Sequence, residues 1–559
     1  MAAGQPDVVV VGSGAGGAMA AYVLTQAGHR VLMLEAGRDY DPKTETPMFQ
    51  ESRDAPLLGA STSDKNFGYY DATVDGGWQV PGEPYTMSDG TEFLWWRSRM
   101  LGGRTNHWGR YSLRFSEHDF KGYSRDGLGA DWPFDYDELA PWYDRTEALV
   151  GVCGANTGHP DMPDSSPGVL QPPPKARVPE LLIAAAAQKL GIAAAPMHRA
   201  VLTRPLDDRA PCFWATPCGR GCSIGAAFQT TTSLLPLAKK TGLLTIRTDA
   251  MVSAVDVDAH GKVTAVRYVD RKTGKTESVS GRAVVLAASA CESARILLNS
   301  RNERFPNGVA NSSGQVGRNL MDSTGAGLGA TIPALVGRPR YNEDGHTANH
   351  IFIPWWGHEQ QAKGELDFPR GYHFEIGSGF GAPNAWTGAG VQGYGTALKE
   401  QVREAYGASV YFALRGEMLP NRDCYMDIDD SVRDKWGIPV PRFHWRWADH
   451  ELNQVAHGLT TMKALIETMG GEAPALPSPE EAIKKGGEII HEVGTTRMGM
   501  SPKDSVTDQW GKAWDLGNLY VTDGGVFASN PHKNCTLTLM TLAMRNADHL
   551  AGELTKGAA

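Results

Sequence analysis

Two groups of residues in the 559-residue chain have types and spacing that carry chemistry. Near the start, Gly12-Ser-Gly14-Ala-Gly-Gly17 falls between an apolar run, Asp7–Val11, and a segment of helical composition, Ala18–Ala27, ended by Gly28. In that setting the glycines form a dinucleotide cradle. Gly12 permits the tight turn, Gly14 lets backbone approach a pyrophosphate, and Gly17 lets helix and strand pack closely. The helix N-terminus then faces the phosphate charge. A second apolar run, His29–Leu34, ends in Glu35, placed to accept hydrogen bonds from adenosine ribose hydroxyls. This unit alone does not separate FAD from NAD. The other group is Cys212, Cys218 and Cys222 in a glycine-rich loop. Three thiolates so spaced suit a 3Fe–4S cluster, whose irons take one Cys each. Zinc wants a fourth ligand, and none is adjacent. A reduced loop, or one disulfide with a spare thiol, is the third reading.

The elements that must position these groups follow from periodicity and punctuation. Asp7–Val11 and His29–Leu34 read as buried strands flanking a helix, the opening of a parallel sheet. From about Arg38 to Trp96 the pattern dissolves into Pro, Gly, Asp and Ser, too long for a plain connector and read as a lid over the cofactor. Residues 155–178 are Pro-rich and read as a surface linker. Glu180–Leu190 and Thr230–Lys239 read as helices, Leu243–Val257 and Lys262–Val269 as strands, and Ala283–Ala287 as a buried strand before a helix at Cys291–Leu298. Between about 331 and 480 the alternation of His350–Ile353, Tyr372–Ile376 and Ser409–Leu414 points to an antiparallel sheet, followed by a helix at Leu452–Met469. The chain closes with a helix near Leu537–Leu550. The expected fold is α/β (α+β overall): a Rossmann-like dinucleotide-binding domain from 1–120, 200–330 and 481–559, with a substrate domain from 121–199 and 331–480 built on an antiparallel sheet.

Composition narrows the partners. A formal net charge of −9 with no basic–aromatic stretch argues against nucleic acid and against anionic membrane. No apolar run is long enough to span a bilayer. The first residues carry no basic export region, so cytoplasmic location, or export to the periplasm with a partner that carries the signal, is expected. Seven cysteines in this length do not make a disulfide scaffold.

Several ordered motifs together resemble the glucose–methanol–choline (GMC) oxidoreductases, nearly end to end. They are Leu34-Glu-Ala-Gly37, Leu101-Gly-Gly-Arg-Thr-Asn-His-Trp108, Ala287-Ala-Ser-Ala-Cys-Glu-Ser-Ala-Arg-Ile-Leu-Leu298, Val316-Gly-Arg-Asn-Leu-Met-Asp322, His491-Glu-Val-Gly-Thr-Thr-Arg-Met-Gly499 and Asn518-Leu-Tyr-Val-Thr-Asp-Gly-Gly525. Ser323 departs from the pattern, standing where members often have His.

The resemblance implies FAD as the cofactor, with Gly102, Gly103, Asn106 and His107 in the loop beside the flavin ring, and with Val252 and Asp523 among the cofactor contacts. It places the catalytic base at His491 and its partner at Asn534, with His532 a candidate substrate contact. A His suits the task because its proton affinity lies near neutrality. His107 has two readings, a covalent link to the flavin as in pyranose oxidases or packing against the ring edge. Cys212, Cys218 and Cys222, followed by Ile224-Gly-Ala226, resemble a segment of multi-subunit sugar dehydrogenases, which favours the cluster and implies a small subunit with an export signal and a cytochrome or other acceptor. Within the family the bacterial glucoside 3-dehydrogenases are most similar, implying oxidation of a ring secondary hydroxyl, such as C3 of a glucoside, by hydride transfer to the flavin. A pyranose-oxidase-type enzyme using O₂, a gluconate or polyol dehydrogenase subunit, and a non-catalytic redox subunit are the alternatives. Trp355, Trp356, Phe374 and Trp386 are aromatics suited to stacking a sugar face.

Overall fold

Every side chain of the strand Val8–Val11 is buried, as a run apolar on both faces requires a sheet covered on both sides. The computed structural model describes residues 5–45, 76–214, 221–338, 350–378 and 393–557. Cys218, Trp386 and the middle of the expected lid lie outside the described residues. The elements that carry the argument are, in chain order, β1 (Val8–Val11), α1 (Ala15–Gln26), β2 (Val31–Leu34), β3 (Leu244–Arg247), β4 (Ala250–Val257), β5 (Val263–Asp270), β6 (Thr276–Val279), β7 (Ala283–Leu286), α2 (Ala290–Asn299), β8 (Thr324–Thr331), β9 (Tyr372–Ser378), β10 (Ser409–Gly416), α3 (Asp449–Thr468), β11 (Leu519–Val521) and α4 (Thr536–Thr555).

Five strands make a parallel sheet in the order β11-β7-β1-β2-β3, with Val8 opposite Ala283 on one side and Val31 on the other. The architecture is the mixed α/β arrangement with a Rossmann-like parallel core. α1 begins at Ala15, earlier than composition alone places it, and takes two glycines into its first turn. Packing outweighs their poor helix propensity: a Cβ on Gly17 would lie 2.0 Å from the carbonyl oxygen of Gly12. α4 lies against α1 and brings the C-terminal segment back to the sheet. The strands β4, β5 and β6 form an antiparallel meander beside it.

A second sheet, β8-β10-β9, is antiparallel throughout. Successive side chains of β9 alternate between its faces. Tyr372, Phe374 and Ile376 on one face join Phe412 and Leu414 of β10 and Val455, Leu459 and Met462 of α3 in a core separate from that of the parallel sheet. On the opposite face His373 pairs across the strands with Arg415, and Glu375 follows two residues on. The Pro-rich segment 155–178 runs largely over the surface, as expected, but is anchored inward at Asp161, 1% exposed, and at Met162, which is buried. Charged partners deeper in the molecule hold it there. Among the described residues, no helix is long and apolar enough to cross a membrane.

Candidate active site

One cavity, of about 430 Å³, is lined both by the glycine turn after β1 and by His491 and Asn534. Gly14 caps α1 without any side-chain bond, so the first backbone N–H groups of the helix are left open beside the cavity wall formed by Gly14, Ala15 and Gly16. A Cβ on Gly14 would meet no protein atom within 4 Å. Glu35 is buried on the same wall and accepts from the Ser13 and Gly37 backbone N–H groups, at 3.0 and 2.7 Å, and from the Ser13 hydroxyl. The Gly102 N–H donates to that hydroxyl at 2.8 Å, so the loop at 101–108 is tied directly to the glycine turn.

The residues expected at the cofactor divide into two sets. Gly12, Gly14, Glu35, Gly103, His107, Val252 and Asp523 line the cavity. Gly17, Gly102 and Asn106 stand behind it and shape it. Gly102 takes φ +88°, which glycine accommodates. The Asn106 amide donates to Leu101 O and accepts from Gln229, knotting the loop. Nε2 of His107 accepts from the Trp96 indole at 2.9 Å, and Ser98 Oγ lies 3.2 Å from the same nitrogen. Asp523 accepts from Gly525 N–H, Ser289 N–H and the Ser293 hydroxyl; burial raises its carboxyl to about 6.

His491 and Asn534 come together from distant segments. Asn534 lies just ahead of α4, and its Nδ2 is 3.4 Å from His491 Nε2. Asp322 anchors the histidine loop by accepting backbone N–H bonds from Ile489 and His491, at 3.2 and 2.8 Å. Between them Ile490 holds φ +67°, a conformation that costs a β-branched residue energy and persists because both neighbours are pinned. Burial chiefly, and then the Arg415 charge, lower His491 to about 3, so its ring is neutral and able to accept a proton. Ser323 Oγ lies 2.9 Å from Nδ1. With Nδ1 protonated toward Ser323, Nε2 is left as the acceptor facing the Asn534 amide. The Asn534 Oδ1 is buried on the cavity wall without a hydrogen-bond partner among the described residues.

Sequence reasoning missed two residues of this wall, Glu375 and Arg415. They line the cavity beside His491 and pair at 3.1 Å. Burial pushes the Glu375 carboxyl up, but Arg415, His373 and Asn534 outweigh it and hold it at about 2. The polar positions of the alternating Tyr372–Ile376 run were the signal for Glu375, and Arg415 directly follows the alternating Ser409–Leu414 run. His532 does not line the cavity. Its ring turns the other way, to His373 and Asp161. Nor do Trp355, Trp356 and Phe374 line it, because they pack in or against the core on the far face of the antiparallel sheet. Trp96, Trp108 and Tyr111 are the aromatics on the wall.

Cys212 and Cys222 pack against one small apolar cluster of Val201 and Ala227. Backbone N–H groups of Trp214 and Ala227 donate to their sulfurs at 3.3 and 3.4 Å. The Cys222 N–H bonds Gln229, which in turn reaches Asn106. Among the described residues no group of three or more metal-ligating side chains occurs.

Two family models described as GMC oxidoreductase match the chain, one over residues 7–324 and the other over 420–543. The chain is 30% identical to a 2-methyl-1,2-propanediol dehydrogenase of Mycolicibacterium austroafricanum, covering 98% of this chain and 96% of that one. It is 29% identical to the fructose dehydrogenase large subunit of Gluconobacter japonicus, covering 99% and 98%. A pyridoxine 4-oxidase from Mesorbium loti shares the fold, with a TM-score of 0.60 at 17% identity over 98% of this chain and 99% of that one.

Proposed function

The chain belongs to the GMC oxidoreductases, and on that premise we propose that it oxidises a ring secondary hydroxyl of a sugar or glycoside, with C3 of a glucoside the first carbon to test. The observation that carries the reading is the His491–Asn534 pair, 3.4 Å apart on the wall of the cavity that also holds the glycine turn. Members of the family bind FAD, which when bound supplies the hydride acceptor. The residues present fit it: the uncapped N-terminus of α1 and Gly14 suit a pyrophosphate, Glu35 a ribose, and Val252 and Asp523 the remainder.

The chain's own groups would work as follows. His491 Nε2 takes the hydroxyl proton, and Ser323 holds the ring by Nδ1. The Asn534 amide donates to the oxygen as its charge develops, without competing for the proton. Glu375 and Arg415 present an acceptor and a donor fork beside the pair, which suits a substrate with neighbouring hydroxyls. The fructose dehydrogenase relative is named as a large subunit. In keeping with that, we assign Cys212, Cys218 and Cys222 to a 3Fe–4S cluster, which would accept single electrons for a partner subunit bearing the export signal and an acceptor; such a complex would be periplasmic. The backbone N–H bonds to two of the sulfurs support this.

One preparation tests these points. Anaerobically purified protein, mixed with a panel of glucosides, free sugars and simple diols, is expected to show flavin bleaching fastest with a glucoside and to contain about three irons per chain. Bleaching by simple diols alone would remove the sugar reading. Iron-free protein with full acceptor activity would remove the cluster.

A further inference from the structure

From the wall of the cavity inward runs a buried row of polar and titratable groups, of which His373, His532, Asp161 and His358 have no part in hydride transfer. It starts at Asn534, whose Nδ2 lies 3.4 Å from His491 Nε2 and 3.0 Å from Glu375 Oε1. Glu375 Oε1 is 3.9 Å from His373 Nε2. His373 Nδ1 is 3.3 Å from His532 Nδ1. His532 Nε2 is 3.2 Å from Asp161 Oδ1. That oxygen is 3.6 Å from Nε2 of His358, which is 28% exposed and stands against the ring of surface His118. Lys533 balances the charge along the row, with its Nζ 2.7 Å from Asp119, 2.9 Å from Asp161 and 3.3 Å from His532 Nε2.

We propose that this row is the exit path for the proton that His491 takes from the substrate, delivering it to solvent at His358 and His118. The proposal rests on His491 being the base. Oxidation breaks one O–H and one C–H bond; the electron pair leaves with the hydride to the flavin, and the hydroxyl proton goes to His491 Nε2. From there it crosses to Glu375, directly or through one water in the cavity that both line. An imidazole that gains a proton on one nitrogen releases one from the other, so the charge moves through His373 and His532 to Asp161 and His358. One proton reaches solvent for each alcohol oxidised, and no further reactant is needed.

The geometry favours transfer over mere bracing. Both buried imidazoles face a partner at each nitrogen, the arrangement a relay requires. His373 Nε2 is fully buried, aims at Glu375 and makes no hydrogen bond at 3.9 Å. Transfer across that gap runs through one bridging water or a closer approach of the Glu375 carboxylate. Burial keeps His373 at about 4 and lowers His532, so neither ring traps an arriving proton. Arg415 and Lys533, the cations facing the row, act in the same direction.

The test is single-turnover anaerobic stopped flow in weak buffer, following flavin bleaching and a pH-indicator dye together. In the wild type the dye should track bleaching. In His373→Phe, first-turnover bleaching should hold while dye response and repeated turnover lag roughly tenfold or more, with millimolar imidazole restoring both. If loss of packing empties His373→Phe of flavin, His373→Asn, which keeps polarity but cannot relay, decides. Dye that tracks bleaching in the folded variant overturns the path. His491→Ala separates the underlying reading: bleaching at the wild-type rate there removes the base, whatever the dye does. A readout without turnover is nitrogen-15 NMR of labelled histidines in the resting protein. One of His373 and His532 should carry its proton on Nδ1 and the other should not; two Nε2-protonated rings would overturn the relay.

Discussion

His491 is set by three neighbours, and each contributes something different. Ser323 fixes the ring through Nδ1, the Asn534 amide approaches Nε2, and the Asp322 carboxylate holds the backbone on either side of a strained Ile490. Ser323 therefore takes up the place where relatives often have His without adding a second titrating ring. A positioned base contributes about 10²–10⁴ in rate, so His491→Ala should slow flavin reduction by that order while FAD stays bound. Asn534→Ala should slow it by roughly 10², with little change in apparent affinity, because in the proposed role its amide stabilises charge that develops only during reaction. Anaerobic stopped flow across substrate concentration separates the two. A rise in KM alone would make Asn534 a binding group. Both positions stand out in the sequence because they sit in contiguous motifs, and the fold brings them together on the cavity wall. Glu375 and Arg415 do not stand out, since a strand's alternation shows that one face is polar but not what that face meets.

At the scale of elements, the glycines of the first turn have separable duties. A Cβ at Gly14 meets nothing within 4 Å and projects from the cavity wall, whereas at Gly17 it would lie 2.0 Å from the Gly12 carbonyl oxygen. Gly14→Ala should then leave the thermal midpoint of the flavin-free protein within a few degrees of wild type and weaken FAD binding. Gly17→Ala should do the reverse in order of cause: it forces α1 off β1, costing about 1–3 kcal/mol as overpacking does, and loses flavin only because the fold loosens. Unfolding of apo-protein by heat, set beside FAD titration, distinguishes them; equal destabilisation by both would show that the turn is not shaped as described. The βαβ opening was readable because buried parallel strands are apolar throughout. The segment at 155–178 lies largely at the surface, as its prolines suggest, but they give no sign of the inward anchor at Asp161. Prolines mark irregular backbone, but irregular backbone is buried when charged groups such as Lys533 need a partner inside, and Asp161 supplies it.

Across the whole molecule, the buried titratable groups set how stability depends on acidity. Burial lowers His491 to about 3 and His373 and His350 to about 4, and it also lowers His198, His532 and His457. An unfolded chain binds protons on these rings as pH falls through about 6.5, while the folded chain does not, so stability is lost on that descent. Burial raises Asp322 to about 7 and Asp523 and Glu417 to about 6, and these three oppose the loss because the folded form takes the proton first. With His118, His159 and His549 also lowered and Asp508 also raised, nine lowered histidines face four raised carboxyls, so the balance falls on the side of loss. Below about pH 4.5 a second loss begins. Burial alone would raise Glu292 and Glu375, but paired arginines hold both at about 2, and their ion pairs disappear on protonation. The thermal midpoint should thus decline gently between about pH 6.5 and 4.5 and steeply below that. His350→Gln removes one buried ring away from the cavity and should make the upper part of the decline shallower without touching the steep part. Scanning calorimetry of both proteins across that range checks the slopes. A midpoint that stays level down to about pH 4.5 in the wild type would mean that the histidines are not held neutral inside the fold.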